Sequence, residues 1–330
     1  MVAQIDRKFV VARPWKLWSR MVAYTLFEGR PLTTRGRWIN PLVFAGYRLW
    51  SILPGLSRDV SPIFILGVGR SGTTVLGSIL SLHRDVGYLN EPKALWHAAL
   101  GDDDLIGSYS RKLGRYRMDR TDVTDAKRRR LQVFYRAFLG LSGSRRVVDK
   151  YPELLFRSDL LDSVFSTACK IILVRHGAET CQSVETWCTQ NGLEDVDGKA
   201  DWWGRDDRKW HLLLRDIVIP DPAFADLHPV LDELHSATDK AAVEWIVSMR
   251  EALRLQDTSA PRTLLLRYED LVSRPEEIIA GICDFCGLDQ DDVMLDYAKA
   301  TLAPRLRRTL PNLHPALEPL FNQTLSDLGY

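Results

Sequence analysis

Little in this 330-residue sequence points to an unusual environment. No stretch approaches the roughly 18 uncharged apolar residues of a membrane-spanning helix, and charges interrupt every apolar run near the N-terminus, so no signal peptide is expected. Cysteine is scarce. The five thiols (Cys169, Cys181, Cys188, Cys283, Cys286) are odd in number and lack framework spacing, which argues against a disulfide scaffold and for reduced thiols in a cytoplasmic protein. Cys283 and Cys286 form a CxxC, yet they lie in the helical pattern Ile278–Ile282–Phe285 and no second pair exists to complete a zinc site. They read as core thiols. No His, Cys and Asp cluster has ligand spacing, so no metal is expected. Neither sign of charge is in excess (net +1), so composition gives no reason to expect a nucleic-acid partner. Repeats and low-complexity tracts are absent as well.

What is present begins at Pro62–Gly77, PIFILGVGRSGTTVLG. An apolar run (Ile63–Leu66) meets a glycine-rich turn and then an apolar-periodic helix (Val75, Ile79, Leu82). Backbone N–H groups and a helix N-terminus that converge in this way form an anion cradle. Gly67 and Gly72 keep the G-x-x-x-x-G spacing of a nucleotide-triphosphate loop, but Thr73 stands where that loop needs lysine. The cation lies inside the loop instead, at Arg70, followed by Ser71, Gly72, Thr73 and Thr74. The loop is suited to phosphate, not to ATP.

Apolar runs without alternation at Ile63–Leu66, Val147–Val148, Ile171–Val174 and Leu264–Leu266, with a weaker fifth at Val86–Leu89, read as buried parallel strands. Helical patterns follow the loop and cover Lys127–Leu139, Leu154–Phe165, Lys240–Leu255 and Pro275–Cys286. The alternation predicts an α/β fold, a doubly wound parallel sheet of about five strands flanked by helices, P-loop-like in its nucleotide site. Ligands of such sheets sit at the carboxyl ends of the strands, where Arg70, Glu91, Lys150 and Arg175 all fall. Residues 192–236, rich in Asp, Trp, His and Pro, read as an irregular insertion on the acceptor side.

Three further segments carry chemistry. Tyr88-Leu89-Asn90-Glu91-Pro92 returns a carboxylate to the strand ends. A lone glutamate is ordinarily a solvated group, but the apolar run before it and the proline after it fix this one. Asp149-Lys150-Tyr151-Pro152 delivers an ammonium to the same edge, though a plain surface lysine would look alike. Arg175 closes a strand and Ser183 follows eight residues later on the next helix, a guanidinium and hydroxyl placed to grip a second phosphate. His83 ends the loop helix and reads as a cap or packing residue. Trp202, Trp203 and Trp210 are divided between sugar stacking and loop anchoring, while Trp245 reads as core.

With these residues in place, the chain resembles the sulfotransferase family that uses 3′-phosphoadenosine 5′-phosphosulfate (PAPS), over about residues 61–290. In that family an R-S-G-T-T loop grips the 5′-phosphosulfate, matched here by Arg70 to Thr74. Its strand-end Arg and following Ser, which hold the 3′-phosphate, are matched by Arg175 and Ser183, and its Y-E-D-L segment by Tyr268-Glu269-Asp270-Leu271, with Tyr268 on the nucleotide side. His176 replaces the usual acidic residue after the strand-end Arg. The loop arginine and the run from Tyr88 through Leu95-Trp96-His97 are similar to the carbohydrate and protein-tyrosine branches, the carbohydrate branch above all. The resemblance implies Glu91 as base, Lys150 as support for the leaving group, PAPS as donor, PAP as product, and a carbohydrate or glycolipid hydroxyl as acceptor. His97 or His176 would be the next candidates for the base. Peptide tyrosine and lipid are alternative acceptors. More remote readings are a P-loop kinase, for which Asp149 is the sole candidate magnesium ligand, and a binding protein that has lost activity.

Residues 1–60 hold ten Lys/Arg against three carboxylates, and also Trp15, Trp18, Trp38 and Trp50. Two readings are open: a peripheral contact with an anionic membrane face, or a helical arm packed on a domain spanning 61–330. The second is favoured, because the apolar residues do not show one clean helical face in the sequence.

Overall fold

The computed structural model describes residues 4–52, 60–112, 114–195, 198–258, 260–303 and 310–330. Its central sheet has five strands: β1 (Ile63–Gly67), β2 (Val86–Asn90), β3 (Arg146–Lys150), β4 (Cys169–Val174) and, later in the chain, β8 (Thr263–Arg267). They run in the order β2-β3-β1-β4-β8, every pairing parallel. All five expected strands are present, each a residue or more longer than its apolar run. Alternate side chains feed two cores. Phe64, Leu66, Val147, Ile172 and Val174 pack into one, and Ile63, Ile65, Val148, Ile171 and Leu173 into the other. Burial on both faces removes the alternation that a half-exposed strand would show. The fold is α/β, with helices on both faces of a parallel sheet.

Helices follow the expected patterns with two differences. The loop helix runs Thr73–Leu80, so Leu82 lies beyond its end. The stretch expected as a helix from Leu154 opens with a tight 3₁₀ turn, Pro152–Arg157, and becomes α-helical only over Ser158–Val164. Pro152 fits the start of such a turn, because its fixed φ suits a first helical position and its missing N–H is not needed there.

The region expected to be irregular carries a small antiparallel sheet, β5 (Leu193–Asp195), β6 (Gly198–Asp201) and β7 (Gly204–Arg205), followed by a short helix, Arg208–Leu213. Such short strands fall below the length at which periodicity is readable. Residues 196–197 of this insertion lie outside the described residues, as do 53–59 beside the expected boundary at 60.

Before that boundary the chain packs against the sheet. Lys16 Nζ donates to the Val86 carbonyl (2.7 Å), and Arg13 forms a two-point pair with Asp291 (2.6 and 2.8 Å). Arg20, fully buried, donates to Glu28 (2.7 Å) and to the Tyr88 carbonyl (2.6 Å). Several cations of the basic segment are therefore used inside the fold. One sequence reading changes here. The helix Asn40–Ile52 buries Val43 and Tyr47 while exposing Leu42, Leu49 and Ile52. It has a clean exposed apolar face after all, hidden in the sequence because the opposite face is apolar too. Among the described residues no helix is long and apolar enough to cross a membrane.

Candidate active site

The turn between β1 and its helix is built on two glycines. Gly67 has φ +144°, and a Cβ there would lie 2.5 Å from the Leu173 carbonyl oxygen, so β1 and β4 can approach only with glycine at this position. Gly72 has φ +97°, and a Cβ would strike the Tyr268 ring at 2.4 Å. Ser71 is buried and its Oγ donates to the Val68 carbonyl (2.7 Å), so it shapes the turn from inside. Arg70 itself adopts φ +70°, and Glu91, at the end of β2, φ +48°. Left-handed backbone at a non-glycine residue costs roughly 1–2 kcal/mol, and such strain concentrates at functional sites.

A cavity of about 370 Å³ opens at the strand ends. Arg70, Gly72, Thr73 and Thr74 from the loop, Glu91 and Lys93 after β2, and Arg175 and Ser183 after β4 all line it. Arg70 Nε donates to Ser183 Oγ (2.9 Å), and Arg175 Nη1 donates to the Arg70 carbonyl (3.1 Å). Loop, strand end and helix are thus joined by hydrogen bonds among three of the expected residues. Arg175 is held further by Glu179, one helical turn on (2.6 and 2.9 Å), and its guanidinium stacks 4.6 Å from the centre of the Tyr268 ring. Trp245 Nε1 donates to the Arg175 carbonyl (2.9 Å), which ties this strand end to the core. Tyr268 therefore packs beneath the loop and Arg175, and is not itself part of the cavity wall.

Burial, and then repulsion from Arg175, lower the pKa of Arg70, opposed by Glu91. Two guanidiniums share one cavity at an electrostatic cost that an anion between them would relieve. The residues present fit a phosphorylated ligand.

Glu91 is fixed from several sides. Its N–H donates to the Lys150 carbonyl (2.7 Å), and Lys150 Nζ donates to its Oε1 at 2.5 Å. Lys93 Nζ lies 3.4 Å from Oε2. Burial alone would raise the Glu91 pKa, but Lys150 and Lys93 outweigh it and hold the carboxyl well below the usual range. Lys150 is buried behind Glu91 and is not among the residues that line the cavity. Asp149, one residue earlier, points into the core, where Tyr135 and Trp96 donate to it. Burial pushes its carboxyl up to about 7.

The histidines stand elsewhere. His83 is buried against the Asp289 carbonyl (2.9 Å). His97 packs against the Phe44 and Tyr109 rings, and His176 caps its helix by accepting from Ala178 N–H (3.2 Å). None lines the cavity. The tryptophans divide. Trp203, Trp210 and Trp245 are buried, whereas Trp202 lines the cavity and its ring closes over Gly69. Sequence reasoning missed Lys93, Glu153, Trp187 and Lys209 on the wall. Lys209 is buried beneath Trp202, where Glu244 (2.7 Å) and Glu153 (3.3 Å) raise its pKa against the effect of burial. Only Lys93 left a trace, two residues after Glu91.

Against known proteins, the model of the Sulfotransferase family matches residues 62–227 and 214–292. The chain belongs to the sulfotransferase family. Nodulation protein NoeE of Sinorhizobium fredii (strain NBRC 101917 / NGR234) is 27% identical over 261 residues, covering 76% of this chain and 57% of that protein. This chain thus matches little more than half the length of that relative. Among solved structures, the sulfotransferase domain from the Synechococcus PCC 7002 olefin synthase is similar over 84% of this chain and 98% of its own, with 22% identity and a TM-score of 0.47. Sulfotransferase STF9 from Mycobacterium avium is similar over 99% and 97%, with 14% identity and a TM-score of 0.49.

Proposed function

We propose that this sulfotransferase-family chain transfers a sulfuryl group from PAPS to a hydroxyl acceptor, a carbohydrate or glycolipid. The observation that carries the reading is the hydrogen-bonded set Arg70, Ser183 and Arg175, facing Glu91 across one cavity. The donor supplies an activated sulfuryl group whose leaving group is a phosphate. Arg70, Thr73, Thr74 and the loop N–H groups hold the 5′ end of that donor. Arg175 and Ser183 select the 3′-phosphate. Glu91 accepts the acceptor's proton, because a hydroxyl is a poor nucleophile until that proton leaves. Lys150 and Lys93 keep Glu91 ionised and place positive charge near the reacting groups. The residues act by positioning and electrostatics.

A tyrosine or lipid hydroxyl meets the same chemical requirement. The kinase reading loses support, since Thr73 replaces the loop lysine and Asp149 lies in the core, away from the cavity. Titration calorimetry with PAP and with ATP, each with and without magnesium, tests the donor. Tighter PAP binding that does not need magnesium is expected, and tighter ATP binding overturns the reading. A mass-shift screen with PAPS and a panel of sugars, glycolipids, tyrosine peptides and lipids identifies the acceptor.

A further inference from the structure

The helix Asn40–Ile52 and the turn before it present Trp38, Leu42, Leu49 and Ile52 to solvent, Trp38 at 83% exposure and Ile52 at 75%. At about 100° per residue these four, with the exposed Ala45 between them, fall within an arc of about 80°. Val43 and Tyr47 lie on the opposite side and anchor the helix in the core. The helix is thus fixed to the protein by one apolar face and displays a second. A contiguous exposed apolar stripe marks an interaction surface.

Charge identifies what covers it. Residues 29–52 contain four arginines (Arg30, Arg35, Arg37, Arg48) and no carboxylate. Arg35, Arg37 and Arg48 are exposed beside the stripe. Arg37 also borders a separate cavity of about 720 Å³, which Arg111, Arg205 and Arg208 line as well, against Asp206. A second copy of the chain would bring these arginines against their like. A surface of lipid phosphates would pair with them while its acyl boundary takes the tryptophan and leucines.

We propose that the face Trp38–Ile52 docks on an anionic lipid bilayer. The helix lies in the interface plane, and Arg35, Arg37 and Arg48 contact headgroup phosphates. Pro31, Thr33 and Thr34, which directly precede this face, line the cavity that holds Arg70 and Glu91. Docking therefore holds the segment that supplies this part of the cavity wall close to the membrane surface.

Vesicle flotation of the full chain tests the proposal, with phosphatidylcholine alone and with phosphatidylcholine containing about 30% phosphatidylglycerol, at low and high salt. Binding to the anionic vesicles, weaker on the neutral ones and reduced by salt, is expected. Leu42→Asp with Leu49→Asp should lower partitioning at least about tenfold, because two apolar side chains are lost from the interface. Both side chains are already exposed, so the melting temperature should stay unchanged. The pair Arg37→Gln with Arg48→Gln should remove the preference for anionic lipid without altering the stripe. Equal recovery with both vesicle types, or equal recovery of wild type and the leucine variant, overturns the proposal. So does a lipid-free dimer, seen by sedimentation, that the leucine variant dissolves, since a second copy then covers the stripe.

Discussion

Lys150, buried behind the cavity wall, donates from Nζ to Oε1 of Glu91 at 2.5 Å, so a carboxylate that faces the cavity is charge-balanced from behind. Lys93 approaches the other oxygen, and Glu91 is held by its backbone in a conformation that glycine would more readily adopt. A carboxylate placed this way is ionised and oriented before any ligand arrives.

Glu91→Gln keeps the shape and removes the proton acceptor. Turnover with PAPS and an accepted hydroxyl should fall about 10²–10⁴-fold, while PAP affinity measured by calorimetry stays within a few-fold. Near-normal turnover would place the base elsewhere.

Lys150→Met should reshape the pH profile. In the wild type, burial raises the Glu91 pKa but Lys150 and Lys93 bring it below the usual range, so the base stays ionised as pH falls. Without Lys150, burial is opposed by Lys93 alone, the carboxyl protonates at higher pH, and the acid limb of kcat moves up. An unchanged limb would separate Lys150 from the ionisation of Glu91. The sign for stability is also defined. The depressed pKa stabilises the fold above the unfolded value, about 4.3, and this contribution is lost as pH falls.

Arg175→Ala should weaken PAP binding about tenfold or more, since a charge-assisted contact contributes roughly 1.5–3 kcal/mol. The substitution also leaves Glu179 without its partner. Adding Glu179→Gln removes that carboxylate, so affinity still lost in the double variant belongs to the guanidinium. Full recovery in the double variant would mean that Arg175 merely neutralised Glu179.

Asp149→Asn should change how stability depends on pH. The Asp149 carboxyl, raised by burial from 3.8 to about 7, stays protonated in the fold where the unfolded chain has lost its proton. Its contribution is fully present below the unfolded value and is lost as pH rises towards 7. The wild-type melting temperature should therefore decline relative to the asparagine variant between about pH 4 and 7, then run parallel to it. A constant difference across that window would assign Asp149 an ordinary pKa.

Much of the fold was legible because buried parallel strands leave an unambiguous mark. The runs at 63–66, 147–148, 171–174 and 264–266 are apolar at successive positions, and each strand supplies both cores. The loop was legible for a different reason: Gly67 and Gly72 meet steric demands that other residues cannot meet, and Thr73 takes the place of a triphosphate loop's lysine while Arg70 puts a cation inside the loop. The insertion was less so. Its strands are two to four residues long, and Trp202 and Trp203 are adjacent in sequence yet differ in fate, one on the cavity and one in the core.

The sequence by itself determined the strand–loop–helix unit, the parallel sheet and the places where charge is delivered to the strand ends, because these depend on local sterics and on runs of apolar residues. Only the tertiary structure decided which charges meet. Glu91 and Lys150 are 59 residues apart, and they touch because β2 and β3 pair in register from Val86–Arg146 to Asn90–Lys150. Arg70 reaches Ser183 because β1 lies beside β4, and Lys209 enters the site because the insertion folds back over Gly69 with Trp202. Side-chain charge is written residue by residue, but its partner, burial and pKa depend on strand order and packing between distant segments.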